Sequence, residues 1–164
     1  MNVRAILGLS ALTSLVASIV TANLWVWPRL QLMRRSDALS SLVAPHMFFR
    51  TIGLSFLVPG VVSPALPSTF AAPAAYGDFV AALLAIAAIL AVAKRVQLAS
   101  GLMWMFNVWG TADLLNAIYL GTVHAKDPGM LGAAFYIPTA IVPPLLVTHG
   151  LIFWILVRRH KSAE

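Results

Sequence analysis

Five apolar stretches follow one another along this 164-residue chain, and short polar or proline-rich segments separate them. A run of about 20 apolar residues is long enough to cross a bilayer as a helix. The predicted spans are Ala5–Trp27, Leu42–Val62, Phe79–Val92 (continued by Lys94 and Arg95, whose apolar stems can reach the interface), Gly101–Leu120 and Phe135–Val157. The pattern predicts an all-α polytopic integral membrane protein, with five transmembrane helices forming one domain over residues 1–164.

The composition supports this class and excludes others. Hydrophobic residues make up 60% of the chain and charged residues only 10%, whereas soluble domains have about 25% charged residues. The net charge of +6 does not indicate a nucleic-acid partner, because the basic residues lie between apolar runs. The expected partners are membrane lipids. The absence of cysteine excludes disulfides and thiolate metal sites.

The basic residues predict the orientation, since cytoplasmic loops carry an excess of Lys and Arg. Only Arg4 and Lys126 fall on one side of the predicted membrane. The other side carries Arg29, Arg34, Arg35, Lys94, Arg95, Arg158, Arg159 and Lys161. This asymmetry places the N-terminus outside and the C-terminus in the cytoplasm of a bacterial-type inner (plasma) membrane.

The first span has a second interpretation as a cleaved signal peptide. Arg4 precedes the apolar run, and Val20-Thr21-Ala22 loosely fits a small-residue cleavage site. However, the run is longer than the typical apolar region of about 7–15 residues, and the arginines that follow it resist translocation. We therefore expect the span to be retained.

Small residues on two spans predict close helix packing, within the chain, with a second copy or in a larger membrane complex. In the first span they recur every four residues, at Ser10, Ser14, Ser18 and Ala22. The third span is rich in alanine and has no predicted polar group in its interior.

Polar residues inside the apolar spans are the candidates for function. A charged side chain in the membrane costs about 2.5–3.5 kcal/mol on insertion scales, so it needs a partner, a proton or water. The candidate ligand- or ion-binding residues are His46, Arg50, Asn107, Asp113, Asn116 and His149. At 1.5 Å per residue, Arg50 and His149 lie roughly 12 Å from the cytoplasmic ends of their helices, and Asp113 roughly 18 Å. We expect one cluster between the second, fourth and fifth helices, with Arg50 paired to Asp113.

Three functions suit such a cluster. The first is binding or transport of a small ligand, ion or proton, with Arg50 as an anion anchor and His46, Asp113 and His149 as titrating groups. The second is a structural ion pair in an accessory subunit of a larger complex. The third is a b-type haem with His46 and His149 as axial ligands.

The sequence gives an enzyme little support. Histidine and aspartate can perform acid–base chemistry, but the chain contains no zincin motif, nucleophile elbow or phosphate loop. No His and carboxylate set has metal-ligand spacing. Met103 and Met105 are two residues apart and so face different sides of a helix, which favours apolar packing over copper binding.

Overall fold

The computed structural model describes residues 2–158, and that part of the chain is all-α, with six α-helices. Arg159 and Lys161, which contribute to the predicted charge asymmetry, lie outside the described residues. The helices are α1 (Val3–Thr21), α2 (Trp27–Leu30), α3 (Arg35–Phe49), α4 (Ser68–Ala93), α5 (Ala99–His124) and α6 (Val142–Val157). Two π-helical segments, Ala22–Val26 and Ile137–Ile141, and two 3-10 segments, Arg50–Leu57 and Pro128–Phe135, extend or connect them.

Three helical stretches are long and apolar enough to cross a membrane: Val3–Leu30, Ser68–Ala93 and Ile137–Val157, of 28, 26 and 21 residues. Helix α5 is also 26 residues long, but asparagine and aspartate lower its mean hydropathy. Helix α3 and the first 3-10 segment are likewise interrupted by histidine and arginine. The described chain is therefore a helical protein with three evident candidate spans.

Helix α4 begins earlier than the sequence pattern predicts. The sequence pattern begins the third span at Phe79, and this boundary is wrong, because the helix begins at Ser68. Alanine is the strongest helix former, and the alanines at 71, 72, 74 and 75 outweigh the interior Pro73. The earlier start brings Asp78 into the helix.

The second predicted span also differs from the structure. Helix α3 tightens into a 3-10 segment at Arg50, and that segment ends at Leu57. The residues that follow form turns against the second 3-10 segment, where the Ala133 N–H donates to the Val61 carbonyl at 2.9 Å. Gly132 has φ +52 at this contact, and a Cβ there would overlap the Val61 carbonyl oxygen.

Two hydrophobic cores occupy opposite ends of the bundle. One contains Leu39, Ala88, Phe106 and Ile152, and the other contains Phe56, Phe70, Leu114, Leu131 and Leu145. We call the first end the basic end, since it carries Arg29, Arg34, Arg35, Lys94, Arg95 and Arg158, and the second the opposite end.

Helix α1 is the outermost helix. It packs on α6 and on the segments that precede α6, and its partly buried face includes Ser10, Ser14 and Ser18 of the predicted small-residue stripe. Ala22, the fourth member, is buried at the start of the π-helical segment that follows. The buried alanines of α4 lie at 71, 74, 75, 81, 82, 85, 88 and 91. The small residues of both helices therefore serve packing within the chain.

Candidate functional site

A layer of polar side chains lies between the two hydrophobic cores. We call it the polar layer, and it consists of His46, Arg50, Asp78, Asn107, Asp113, Thr148 and His149. His46, Arg50 and Asn107 are 0% exposed, and His149 is 1% exposed. The layer therefore sits inside the bundle, with apolar packing above and below it.

Arg50 is the centre of the layer. Its Nη1 donates to Asp78 Oδ1 at 2.5 Å and to Asp113 Oδ2 at 2.8 Å. Its Nη2 donates to the Gly110 carbonyl at 2.5 Å and to His149 Nε2 at 3.0 Å. The contact between Arg50 and Asp113 predicted from helix depth is present, and Arg50 also reaches His149 as expected.

The hydrogen bonds determine the tautomer of His149. A guanidinium can only donate, so His149 Nε2 accepts from Arg50 and carries no proton. The other ring nitrogen, Nδ1, lies 2.7 Å from Asn107 Oδ1 and donates to it. The Asn107 amide in turn donates to the His149 backbone carbonyl at 3.3 Å. His149 is therefore a neutral imidazole whose orientation Asn107 holds.

His46 has the other tautomer. The Thr148 hydroxyl donates to the Leu145 carbonyl at 2.8 Å, so it accepts from His46 Nε2 at 2.9 Å. His46 Nδ1 is then an acceptor, and it has no hydrogen-bond partner within residues 2–158. The polar layer thus contains one buried nitrogen lone pair that is free.

This arrangement does not fit the haem hypothesis, in which His46 and His149 were the axial ligands. A bis-histidine haem lies between its two imidazoles. Here the two rings pack directly on each other, with centroids 4.4 Å apart. Moreover, the His149 nitrogens are both engaged, by Arg50 and Asn107. The two histidines interact with one another instead of flanking a macrocycle.

Three glycines make room for the polar layer. A Cβ on Gly53 would overlap Asp78 Oδ2, and a Cβ on Gly77 would overlap Asp113 Oδ1. A Cβ on Gly110 would lie 2.6 Å from His149 Cε1, closer than packed carbon atoms approach. Each carboxylate therefore rests directly on the backbone of a neighbouring segment.

Sequence reasoning missed Asp78, the second carboxylate that contacts Arg50. Asp78 is 7% exposed, and it lies one residue before the predicted start of the third span. The length of the predicted third span is the signal from which Asp78 could have been found. Phe79–Val92 is shorter than the roughly 20 residues that a crossing helix needs. Extension of the helix toward the N-terminus, where the alanines at 74 and 75 lie, includes Asp78.

Asn116 lies away from the polar layer, contrary to the prediction. It is exposed on α5, beside Leu115 and Tyr119, which are 55% and 63% exposed. Asp113 and Asn116 are three residues apart, but the face of α5 that the bundle buries runs through Asn107, Gly110 and Leu114, and Asn116 lies outside it. The structure therefore brings together five of the six predicted residues and adds Asp78.

A cavity of about 430 Å³ connects the polar layer with the opposite end. Its walls are largely apolar and include Phe56, Phe70 and Leu131, and Asp78 is the carboxylate in its lining. Arg4 and Lys126 also line it, and Arg4 Nε donates to the Lys126 carbonyl at 2.9 Å. The cavity thus has an acidic group at one end and basic groups at the other.

The comparisons with known proteins place the chain at family level. A family described as a domain of unknown function (DUF8737) matches residues 6–157. No curated protein and no solved structure matches the chain.

Proposed function

The chain belongs to the DUF8737 family, and we propose that it is a five-helix integral membrane protein of a bacterial-type inner membrane that binds or transports a small ligand, ion or proton. The N-terminus lies outside and the C-terminus in the cytoplasm. The polar layer is the binding site, and the cavity is its access route from the outside.

The fold supports five crossings, although only three stretches within residues 2–158 are apolar enough to be evident spans. Helix α5 is as long as α4, at 26 residues, and packs along it. Helix α3 and its 3-10 segment together extend over about 38 Å. Of the polar residues that lower the hydropathy of these two segments, His46, Arg50, Asn107 and Asp113 point into the polar layer, so lipid does not meet them. Asn116 is the exception, because it is exposed.

The basic end supports the orientation. The described arginines and lysines of the loops lie at this end of the bundle, with the exception of Arg4 and Lys126. These two are linked at the opposite end by the bond from Arg4 to the Lys126 carbonyl. Such a one-sided distribution is typical of cytoplasmic loops.

The observation that carries the proposed function is the charge of the polar layer. Arg50 supplies one positive charge, while Asp78 and Asp113 supply two carboxyl groups. The hydrogen bonds of His149 require a neutral ring, so it adds no positive charge. A surplus carboxylate inside a membrane is costly. Neutrality therefore calls for one bound proton or one bound cation.

The cavity defines what can reach this charge. Asp78 lies in its lining, and the remaining walls are mainly apolar. A volume of about 430 Å³ falls in the range of small-molecule sites, which is about 300–1,000 Å³. The site accordingly suits a proton, a small cation, or an apolar molecule with a cationic group.

Infrared spectroscopy of the protein in lipid tests the surplus charge. In N-methylglucamine buffer at neutral pH, where no small metal cation is present and the buffer cation is too polar for the apolar cavity, we expect a protonated-carboxyl band that shifts in D₂O. Asp78→Asn and Asp113→Asn should each remove it, because either change leaves one carboxylate for one guanidinium. Asp127→Asn is the matched control, since Asp127 is an exposed loop residue that caps Gly129.

The outcomes are distinct. Loss of the band on addition of Na⁺, K⁺ or an organic amine would identify a cation as the ligand. A band that persists under all of these additions identifies the proton. A wild-type protein without the band in N-methylglucamine buffer would overturn the proposed site. Proteoliposomes containing a pH-sensitive dye then separate binding from transport.

Asn116 favours a second candidate, an accessory subunit of a larger membrane complex or a self-associating chain. An amide on an otherwise apolar exposed helix face gains a hydrogen bond when it meets another helix in the membrane. We expect Asn116→Leu to weaken such an association while the infrared band remains. Stoichiometric co-purification of a partner, lost in Asn116→Leu but retained in Asn23→Leu, would support it.

A further inference from the structure

A second concave surface lies at the basic end, and it shares no lining residue with the polar layer. It is a groove of about 400 Å³ between α2, the start of α3 and the end of α6. Arg35 and Arg158 enter it from different helices, and Trp27 and Trp154 form part of its wall. We call this surface the basic-end groove.

The groove carries positive charge without a matching acid. None of its described lining residues is acidic. The nearest carboxylate in sequence, Asp37, is held by Arg34 Nε at 2.9 Å. Arg35 Nη2 donates to the Leu156 carbonyl at 3.1 Å, and its buried Nε has no partner within the described residues. Two guanidinium groups therefore face the groove with donors to spare.

The tryptophans give the groove an amphipathic wall. Trp27 and Trp154 meet edge to face, with ring centroids 6.2 Å apart. The Arg158 guanidinium lies 3.9 Å from the centre of the Trp154 ring. Below them, Leu30 and Ile155 continue the surface along the helices. Tryptophan at a helix end is typical of the membrane interface.

We propose that the basic-end groove binds an anionic phospholipid. The phosphate lies between Arg35 and Arg158, and an acyl chain follows the apolar wall beside Leu30 and Ile155. Guanidinium groups bind phosphate oxygens in pairs of hydrogen bonds, and basic pockets between transmembrane helices on the cytoplasmic side suit anionic headgroups. This inference rests on the membrane location in the proposed function but not on the chemistry of the polar layer.

Lipid titration followed by native mass spectrometry tests the site on the full-length protein. The probes are phosphatidylglycerol and phosphatidylcholine with identical acyl chains. For two arginines at the interface, we expect phosphatidylglycerol to bind about 30-fold more tightly. The double variant Arg35→Gln with Arg158→Gln should lose this preference.

The matched control is Lys94→Gln with Arg95→Gln. It removes the same charge from the same end of the bundle, but neither residue lines the groove. We expect it to keep the full preference for phosphatidylglycerol. Equal loss in both double variants would mean that general surface charge attracts the lipid, and would overturn the site. Unchanged helicity by circular dichroism shows that both variants fold.

Competition with inorganic phosphate tests whether the ligand of the groove has to be a lipid. A lipid site needs the acyl chain, so phosphate at millimolar concentration should displace phosphatidylglycerol poorly. Displacement at low concentration would overturn the assignment to a lipid. The infrared band of the polar layer is expected to remain in Arg35→Gln with Arg158→Gln. Failure of this inference is thereby separate from failure of the proposed function.

Discussion

Arg50 and Arg35 carry the same charged group in two very different surroundings. Arg50 is 0% exposed and is bound by two carboxylates, a backbone carbonyl and a histidine ring nitrogen. Arg35 is half-buried at the basic end, where its protein partner is the Leu156 carbonyl. The fold supplies the counter-charge of Arg50 from its own carboxylates, whereas the counter-charge of Arg35 has to come from its surroundings.

This difference follows from where water and lipid headgroups can reach. Between the two hydrophobic cores, Arg50 has no exposed surface, so its counter-charges have to come from neighbouring helices. At the basic end, water and phospholipid phosphates can supply them. Removal of an internal partner should therefore be far more costly than removal of a charge from the basic-end groove.

The largest effect is expected for Arg50→Gln. It leaves Asp78 and Asp113 together in the bundle without a positive charge, and breaking a buried pair in this way costs about 3–5 kcal/mol. Unfolding in bicelles or mixed micelles, followed by circular dichroism, measures the free energy. Arg35→Gln is the matched control and should cost less than about 1 kcal/mol.

A variant without any charge in the polar layer tests whether the loss of stability comes from the unpaired carboxylates. The triple variant Arg50→Gln, Asp78→Asn and Asp113→Asn has no charge in the polar layer, so we expect it to recover most of the lost stability. Recovery together with retained ligand or proton binding would contradict the proposed function, since the charges would then be structural only. An Arg50→Gln variant as stable as Arg35→Gln would contradict the difference between the two sites.

A smaller effect is expected for Gly77→Ala. The added Cβ occupies the position of Asp113 Oδ1, so the carboxylate has to turn away from Arg50. Overpacking of this kind costs roughly 1–3 kcal/mol. In Gly150→Ala the new Cβ meets nothing within 4 Å, and this variant should gain roughly 0.5–1 kcal/mol from helix propensity. The same unfolding measurement compares the two. Equal stabilities would show that Asp113 does not rest on Gly77.

The tautomer of His149 provides a more local prediction. Asn107→Leu removes the acceptor of the Nδ1 proton, and an unsatisfied buried donor costs about 1–3 kcal/mol. Nitrogen-15 NMR of labelled histidine should show a neutral ring protonated at Nδ1 in the wild type and a changed ring in Asn107→Leu. Asn23→Leu is the control, because Asn23 is exposed and donates only to its own helix. A wild-type ring protonated at Nε2 would contradict the observed hydrogen bonds.

The sequence could predict the cluster because helix geometry is regular. Depth along a helix depends only on residue count, so Arg50, Asp113 and His149 could be brought together before their contacts were known. Their charges also indicated which residues pair, since a buried arginine needs a carboxylate. The same regularity explains the small-residue face of α1 at Ser14 and Ser18.

Other features depended on information that depth does not contain. Asp78 was missed because the proline-rich stretch before it resembles a loop, whereas alanine propensity extends α4 through it. Asn116 was misplaced because depth says nothing about which way a side chain points. The haem hypothesis used depth alone, whereas the direct contact of the His46 and His149 rings depends on how α3 and α6 are rotated about their axes.

The smallest effect is expected for Asp37→Asn, at the basic end. The hydrogen bond from Arg34 lowers the pKa of Asp37 below its ordinary value of 3.8, although both side chains are well exposed, at 79% for Arg34 and 48% for Asp37. A lowered pKa in the folded state stabilises the protein above pH 3.8, and this contribution is lost as the pH falls through the folded-state pKa. Solvent screening makes the contribution of such an exposed pair small. We therefore expect equal unfolding midpoints for the variant and the wild type at pH 7, and again at pH 3. A clear loss at pH 7 alone would show that the basic end, like the polar layer, depends on internal charge pairing.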